Sequence, residues 1–123
     1  MDALLIRTPW ITKILAGTKT WEIRGMRTHK RGLIALVESG TGTVVGVTEI
    51  AEVVGPLSAT EYVRNAERAG LSHATASRDL PYARTFAWVL QHSRRLVTPV
   101  HYQHPPGAVI WVTLDTAVGR CHA

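Results

Sequence analysis

Residues 18–31, TKTWEIRGMRTHKR, contain the pattern around which the rest of the chain is arranged. Side chains alternate along a strand, so Trp21 and Ile23 would point to one face and the polar residues between them to the other. These polar residues are Thr20, Glu22 and Arg24. One face then packs on a core, and the other offers the donors, acceptors and charges of a site wall. A half-buried edge strand with a solvated ion pair fits the same residues equally well.

Four cations fall within eight residues at the end of this strand, and no acidic residue separates them. They are Arg24, Arg27, Lys30 and Arg31. Residues 1–31 contain seven basic and two acidic residues, whereas the other 92 residues contain seven of each sign. The whole net charge of +5 therefore belongs to this segment. A localised basic field attracts polyanions such as nucleic acid, so the turn predicts phosphate contacts.

Length and composition indicate one globular domain. The 123 residues are 46% hydrophobic and 19% charged, which is enough apolar material for a single core. We expect the domain to span residues 1–114, with a C-terminal tail over 115–123. No apolar run approaches the roughly 20 residues of a membrane span, and the first residues do not resemble a signal peptide. The single cysteine, Cys121, fits a reducing compartment, so we expect a cytoplasmic protein with no membrane partner.

The segment before the central strand predicts a strand and a helix. Residues 3–6 are continuously apolar and favour a short buried strand. Thr8 and Pro9 are typical of an N-cap and a first helical residue, and Gly17 is typical of the position after a helix ends.

The segment after the basic turn predicts a hairpin. Gly32 begins an apolar strand, and the turn residues 39–42 connect it to a long strand over 43–54. Gly46 lies inside that second strand, where an isolated glycine indicates a bulge.

The second half of the chain predicts one helix and three more strands. Ser58 and Glu61 have the spacing of a capping box, so a helix begins there and ends at Gly70. Residues 71–81 are polar and irregular and predict a flexible connection. The remaining strands are expected over residues 82–91, 96–100 and 108–114. Six or seven strands with two or more short helices favour an α+β mixed β-barrel over a doubly wound parallel sheet.

A short motif runs from the end of the first helix into the central strand. It reads Gly17-x-Lys19-Thr20-x-Glu22-x-Arg24. This motif resembles the signature of the ASCH domain family, within the PUA-like superfamily. Flanking blocks resemble the same family in the same order: LLIRTPWITKILAG, RGLIALVESGTGTVVG, TFAWVL and PVHYQHPPGAVIWV. The resemblance covers roughly residues 3–114. It implies a small PUA-like β-barrel with a cleft beside the signature strand, and a role in binding RNA or recognising modified bases.

The same resemblance implies a hydrolase as the alternative. Some ASCH-type proteins remove the acyl group from N4-acetylcytidine, and others have been linked to RNA cleavage. In the deacetylase pattern the signature lysine is catalytic, and that position is Lys19 here. The position three residues later is a catalytic threonine in those enzymes and is Glu22 in this sequence.

Three charged residues of the motif are candidate catalytic residues. A lysine in a partly dry cleft has a lowered pKa, so Lys19 could act as a base or nucleophile. Glu22 could orient that lysine or accept a proton from a base edge or a ribose hydroxyl. Arg24 could hold a phosphate or a carbonyl with its fork of donors. The same three residues equally support recognition without reaction, because a glutamate can accept from a base amino group.

Aromatic residues near the basic segment are candidates for base stacking, which contributes about 1–3 kcal/mol per base. Trp10 begins the helix beside the signature strand and is the first choice. Tyr82 and Tyr102 flank turns and are second choices. Trp88 and Trp111 lie within apolar strands, so we expect both in the core.

We therefore predict that RNA, a nucleotide or a nucleoside binds beside the signature strand. The predicted contact residues are Trp10, Lys19, Thr20, Glu22, Arg24, Arg27, Lys30, Arg31, Tyr82 and Tyr102. No cofactor is expected, and no metal is expected at His101-x-x-His104, which lacks a cysteine cluster or an acidic ligand nearby. The rival function is a small hydrolase, either a ribonuclease or an amidohydrolase acting on an acylated nucleobase. A third hypothesis is an interaction module whose basic patch binds an acidic protein.

Overall fold

The structure is a computed structural model that describes residues 1–115. Residues 116–123, which include Cys121 and most of the expected tail, lie outside the described residues. The elements in chain order are β1 (Asp2–Ile6), α1 (Trp10–Leu15), β2 (Trp21–Arg24), β3 (Gly32–Glu38), β4 (Thr43–Val54), α2 (Ala59–Arg64), α3 (His73–Ala76), β5 (Phe86–His101) and β6 (Trp111–Thr113). No helix in this part of the chain is long and apolar enough to cross a membrane.

The strands form one sheet in the order β2-β5-β4-β3-β1-β6. β1 and β3 run parallel, and the other neighbouring pairs are antiparallel. The sheet curls into a half-barrel, because strands far apart in this order touch. Trp88 of β5 stacks on Trp111 of β6 with ring centroids 5.9 Å apart, and Arg24 of β2 donates to the Leu5 carbonyl of β1 at 3.1 Å. The predicted α+β fold, a curled mixed sheet with short helices, is confirmed.

The long hairpin has the predicted bulge. Leu36 of β3 pairs with Gly46 and the next residue, Val37, pairs with Val44, so Val45 is the extra residue. A Cβ at position 46 would collide with the side chain of Leu15 in α1 and lie 2.7 Å from a backbone oxygen of β5. Glycine at this position therefore lets α1 pack directly on the sheet, and α1 leads into the signature strand.

The first helix begins one residue later than predicted. Pro9 occupies the N-cap position and no side chain caps the helix, so the assignment of Thr8 as N-cap was wrong. A backbone turn precedes the helix, in which the Ile11 N–H donates to the Arg7 carbonyl at 3.0 Å. The Lys13 N–H then donates to the carbonyl of Pro9 at 3.3 Å. Gly17 has a φ of +83° and ends the helix as predicted.

The capping box of Ser58 and Glu61 is confirmed, but α2 is shorter than expected. It ends at Arg64, and the chain continues in turns as far as Gly70. The irregular connection predicted over residues 71–81 contains the one-turn helix α3, whose N-cap hydroxyl accepts a backbone N–H.

β5 corrects two strand predictions. The strands expected over 82–91 and 96–100 are one continuous strand that begins only at Phe86. His92 adopts a left-handed conformation with φ of 54°, and the pairing with β4 slips near it without ending the strand. The polar residues around this point favoured a break in the sequence pattern, whereas pairing with β4 keeps the backbone extended. The last strand is shorter than predicted.

The main core lies between α1 and the inner face of the curled sheet. Trp88 is fully buried there, as predicted, whereas Trp111 is half-buried and packs against the same cluster. Four polar or charged residues are buried within residues 1–115: Lys19, Glu22, Thr48 and Thr85. Two of the four belong to the signature motif, and these two lie together at the edge of the core.

Candidate functional site

A cleft of about 480 Å³ opens beside β2. Its floor consists of buried residues: Leu5, Ile6, Lys19, Glu22, Tyr62 and Ala69. Its rim consists of exposed residues: Arg7, Pro81, Tyr82 and Val109. The floor combines the end of β1, the signature strand and the segment after α1 with residues around α2. The cleft therefore depends on the curl of the sheet as well as on the signature motif.

The backbone around Lys19 is held from both sides. The Lys19 N–H donates to the Lys13 carbonyl at the end of α1 at 3.1 Å. The Thr20 and Trp21 N–H groups both donate to the Arg68 carbonyl, each at 2.9 Å. The segment that enters β2 is thus clamped between α1 and the turns that follow α2.

The Lys19 ammonium is almost completely buried, with 3% of the residue exposed. Its Nζ donates to the backbone carbonyls of Trp21 and Ala69, both at 2.7 Å, and lies 3.8 Å from Glu22 Oε1. Burial lowers the pKa of Lys19 from its ordinary value of 10.5 to about 8, although the Glu22 carboxylate opposes this effect. At neutral pH the side chain is therefore mainly a charged hydrogen-bond donor that is ready to lose its proton above pH 8.

Glu22 is 7% exposed and its two carboxylate oxygens have different surroundings. Oε2 accepts from Arg24 Nε at 2.7 Å and lies 2.7 Å from Arg24 Nη2. Oε1 accepts no hydrogen bond from the described residues. The Lys19 ammonium lies 3.8 Å from it. No fully buried side-chain oxygen or nitrogen lacks a partner in this part of the chain, so Oε1 borders the open cleft. It is an acceptor available to a ligand N–H.

Arg24 holds this carboxylate in place. Besides its contacts with Glu22, its Nη2 donates to the Leu5 carbonyl, and its guanidinium lies 5.5 Å from the centre of the Trp88 ring. These contacts fix the planar guanidinium from two strands and one ring. Arg24 thereby orients Glu22 and joins the two sides of the half-barrel.

Two aromatic residues predicted to stack on a base line the cleft. Trp10 is half-buried, and the ammonium groups of Lys13 and Lys19 each lie 5.2 Å from its ring centre. Tyr82 is 44% exposed on the rim and its ring packs over Gly25, directly after the signature strand. The structure therefore brings together five predicted residues: Trp10, Lys19, Glu22, Arg24 and Tyr82.

Five other predicted contact residues do not line the cleft. They are Thr20, Arg27, Lys30, Arg31 and Tyr102. In the basic loop (residues 25–31), Arg27 donates to the Gly55 carbonyl and Arg31 donates to two carbonyls of the loop itself. Lys30 pairs with Asp2 at 2.9 Å. These three cations contact the scaffold outside the cleft, and their contact with a phosphate stays a prediction.

The two histidines considered for a metal lie away from the cleft lining. His104 Nδ1 forms a hydrogen bond with the Tyr102 hydroxyl at 2.7 Å, and its Nε2 forms one with the Ala108 carbonyl at 2.8 Å. Within residues 1–115, no group of three or more histidine, cysteine or acidic side chains is arranged to hold a metal ion.

The sequence interpretation missed four contributors to the cleft. They are Arg7, Ser39, Tyr62 and the carbonyl of Ala69. Tyr62 lies on α2, and burial raises the pKa of its hydroxyl. Arg7 and Ser39 directly follow apolar strands, which is the one local signal that would have drawn attention to them.

Comparison with known proteins identifies the family of this fold. The ASCH domain profile matches residues 4–100, and the chain therefore belongs to the ASCH domain family. An ASCH protein from Zymomonas mobilis has a similar crystal structure, with a TM-score of 0.71 and 16% identity, covering 97% of this chain and 90% of that chain. The crystal structure of a Tyr-to-Phe variant of that protein has a TM-score of 0.71 and 16% identity, covering 98% of this chain and 94% of that chain. The structure of a Ser-to-Ala variant has a TM-score of 0.70 and 16% identity, covering 98% of this chain and 92% of that chain. A comparison with curated protein sequences found no match.

Proposed function

We propose that this ASCH domain binds RNA or a modified nucleoside by taking one base into the cleft. The observation that carries this proposal is the Glu22 carboxylate, which is buried, fixed through Oε2 and open to the cleft through Oε1. Oε1 accepts no hydrogen bond within the described residues and is accessible from the cleft. A ligand N–H that reaches Oε1 would form a charge-assisted hydrogen bond there, so the site favours a ligand with an N–H donor on its edge.

The neighbouring donor favours a base edge in particular. Lys19 Nζ lies 3.8 Å from Glu22 Oε1, so a donor and an acceptor stand side by side on the floor. Nucleobase edges present an N–H next to a carbonyl or a ring nitrogen, and this arrangement complements the pair. A base paired inside a duplex would have this edge occupied, so the ligand is an unpaired base.

The dimensions and walls of the cleft support the same ligand. Its volume of about 480 Å³ lies within the range of about 300–1,000 Å³ that small-molecule sites occupy. Trp10 and Tyr82 provide aromatic surface on the lining, and a base would stack on such surface whatever its sequence.

The proposal is tested by titrating the protein with the four common ribonucleosides, N4-acetylcytidine and a short single-stranded RNA. Calorimetry would measure affinity for wild type, Glu22→Gln and the matched control Glu52→Gln, which changes an exposed glutamate of β4 outside the cleft. Glu22→Gln should weaken binding roughly tenfold to a hundredfold, because one charge-assisted hydrogen bond is lost. Equal affinity in both variants, or no binding by wild type, would contradict the proposal.

The lowered pKa of Lys19 supports hydrolysis as a second candidate function. A neutral amine keeps two N–H groups, which can continue to donate to the Trp21 and Ala69 carbonyls. Its lone pair then points in the remaining direction, where Glu22 stands at 3.8 Å. In amide hydrolysis, water adds to the acyl carbon and the bond between that carbon and the base nitrogen breaks. Lys19 would accept one proton from the attacking water through this lone pair and return it to the base nitrogen as the bond to the acyl carbon breaks, and the Glu22 carboxylate would stabilise the ammonium between these two steps.

Mass spectrometry separates this candidate from recognition alone. Wild type and Lys19→Ala would be incubated with N4-acetylcytidine and, separately, with short single-stranded RNA. Cytidine and acetate from wild type only would establish an amidohydrolase, and shortened RNA would establish a ribonuclease. Binding without any product would leave recognition as the function.

A further inference from the structure

The rim of the cleft differs in charge from its floor. Of the described residues that line the cleft, three are cations, and two of these, Lys19 and Arg24, are engaged with Glu22. The third, Arg7, is exposed on the rim. Its guanidinium forms no hydrogen bond or ion pair with another residue of the described chain. A full set of arginine donors therefore faces solvent beside the opening.

Arg7 and Ser39 occupy equivalent positions on neighbouring strands. β1 and β3 form the parallel pair of the sheet, and the last paired residues are Ile6 and Glu38. Arg7 and Ser39 are the next residues along each strand, and the Ser39 N–H donates to the Ile6 carbonyl at 2.9 Å. Both residues line the same cleft. The carboxyl ends of these neighbouring parallel strands thus place an arginine and a serine on the lining of one cleft.

Both side chains are available for an anion. The Ser39 hydroxyl, like the Arg7 guanidinium, makes no hydrogen bond within residues 1–115. A guanidinium donates two parallel N–H groups to phosphate oxygens, and a serine hydroxyl donates one more. The cations of the basic loop, by contrast, already donate to carbonyls or pair with Asp2.

We propose that Arg7 and Ser39 form a phosphate subsite at the rim of the cleft. The inference rests on the proposed function, because it assumes that a base occupies the floor. A base on the floor directs its ribose toward the opening, and the phosphate then reaches the rim. The ligand is therefore a nucleotide, either free or as a unit of an RNA chain, and a nucleoside without phosphate binds more weakly.

Calorimetry at low ionic strength tests the subsite by comparing ligands with and without phosphate. The ligands are cytidine, N4-acetylcytidine and the 5′- and 3′-monophosphates of each. Wild type should bind one monophosphate about tenfold tighter than its nucleoside, and Arg7→Ala should reduce this ratio to about one. The ratio of the two affinities is the readout, because a change that Arg7→Ala makes in the cleft itself affects the nucleoside and its monophosphate alike. Ser39→Ala should reduce the ratio in part, and Arg7→Lys should retain part of it.

The matched control is Arg95→Ala, which removes an exposed arginine of β5 outside the cleft and the same net charge. If Arg95→Ala lowered the ratio of monophosphate to nucleoside affinity as much as Arg7→Ala does, the preference for phosphate would come from the net charge of the protein, and the subsite would be overturned. An unchanged ratio in Arg7→Ala would overturn it as well, while nucleoside binding would leave the proposed function standing. No binding of any nucleoside or nucleotide would overturn both.

A further pair of ligands distinguishes the two sources of the phosphate. The dinucleoside monophosphate CpC carries a phosphodiester, as an RNA chain does, whereas a mononucleotide carries a terminal phosphate. Dependence on Arg7 with both ligands would assign the subsite to RNA as well as to free nucleotides. Dependence with the mononucleotide alone would assign it to free nucleotides.

Discussion

The cleft floor and the basic loop follow each other in the sequence and use charge in different ways. The charged cluster of the cleft consists of Lys19 and Glu22 on the floor and Arg24 beside them, and the loop cations are Arg27, Lys30 and Arg31. In this cluster, two cations contact one carboxylate that is 7% exposed. In the loop, the cations contact backbone carbonyls, the half-buried Asp2 and the rings of buried Phe86 and half-buried Trp111. Charge density along the sequence is similar, yet the two regions place their charges in different surroundings.

The difference lies in solvent. Water and salt weaken the interactions between exposed charges, so any attraction of a polyanion by the loop is expected to be unselective. On the floor, water is largely excluded and each interaction is stronger, but an unmatched polar atom is also more costly. Selectivity is therefore expected from the floor, and the partly satisfied Glu22 is a better indication of a site than the number of basic residues.

The largest expected effect comes from removing the floor carboxylate. Glu22→Ala leaves the buried Lys19 ammonium and the half-buried Arg24 guanidinium without their carboxylate, which should lower the free energy of unfolding by about 3–5 kcal/mol. Lys30→Ala breaks an ion pair whose two side chains are each 38% exposed, and should cost about 0–1 kcal/mol. Urea unfolding of both variants measures the contrast directly. Similar losses in the two variants would show that the floor pair is solvated as the loop pair is.

A smaller effect is expected in the dependence of stability on pH. The pKa of Lys19 is about 8 in the folded protein and 10.5 when exposed. Between pH 8 and pH 10.5, folding therefore releases a proton from Lys19. The unfolded state then binds more protons, and the free energy of unfolding contributed by Lys19 rises as pH increases from 8 to 10.5. Wild type should gain on the order of 2–3 kcal/mol over this range relative to Lys19→Met. Parallel stability curves for the two proteins would contradict burial of the charged amine.

Part of the floor could be predicted from sequence because local rules determine it. Strand alternation places Glu22 and Arg24 on one face, and the chain brings Lys19 to the start of that strand. The capping box of α2 and the bulge beside Gly46 are likewise determined by a few adjacent residues. These features needed no knowledge of which strands pair.

The rest of the cleft depends on pairing between distant segments. Ala69 reaches Lys19 across 50 positions of the sequence, and Arg7 meets Ser39 because β1 pairs in parallel with β3. No local pattern specifies that pairing. The same limitation explains β5, where the polar residues near His92 favour a break, but pairing with β4 continues past it. Sequence also does not show that the loop cations contact the scaffold instead of the cleft.

The smallest expected effect on base recognition comes from the loop. A variant with Arg27, Lys30 and Arg31 all changed to alanine should bind a nucleoside within about twofold of wild type, because none of the three lines the cleft. If the loop contacts phosphates, binding of single-stranded RNA should weaken, and the slope of log affinity against log salt should fall by about two. Glu22→Gln should do the reverse, with weaker nucleoside binding and an unchanged slope.

The triple loop variant and Glu22→Gln together decide whether attraction of the RNA backbone and recognition of the base are carried by separate residues. A triple variant that loses nucleoside affinity would mean that the loop shapes the cleft, for example through the contact of Arg27 with Gly55. An unchanged salt slope for RNA would remove the loop from the interface and leave the rim as the place where phosphates bind. Arg7→Ala in the same salt titration then locates the attraction, because a fall in slope with this variant alone would assign it to the rim.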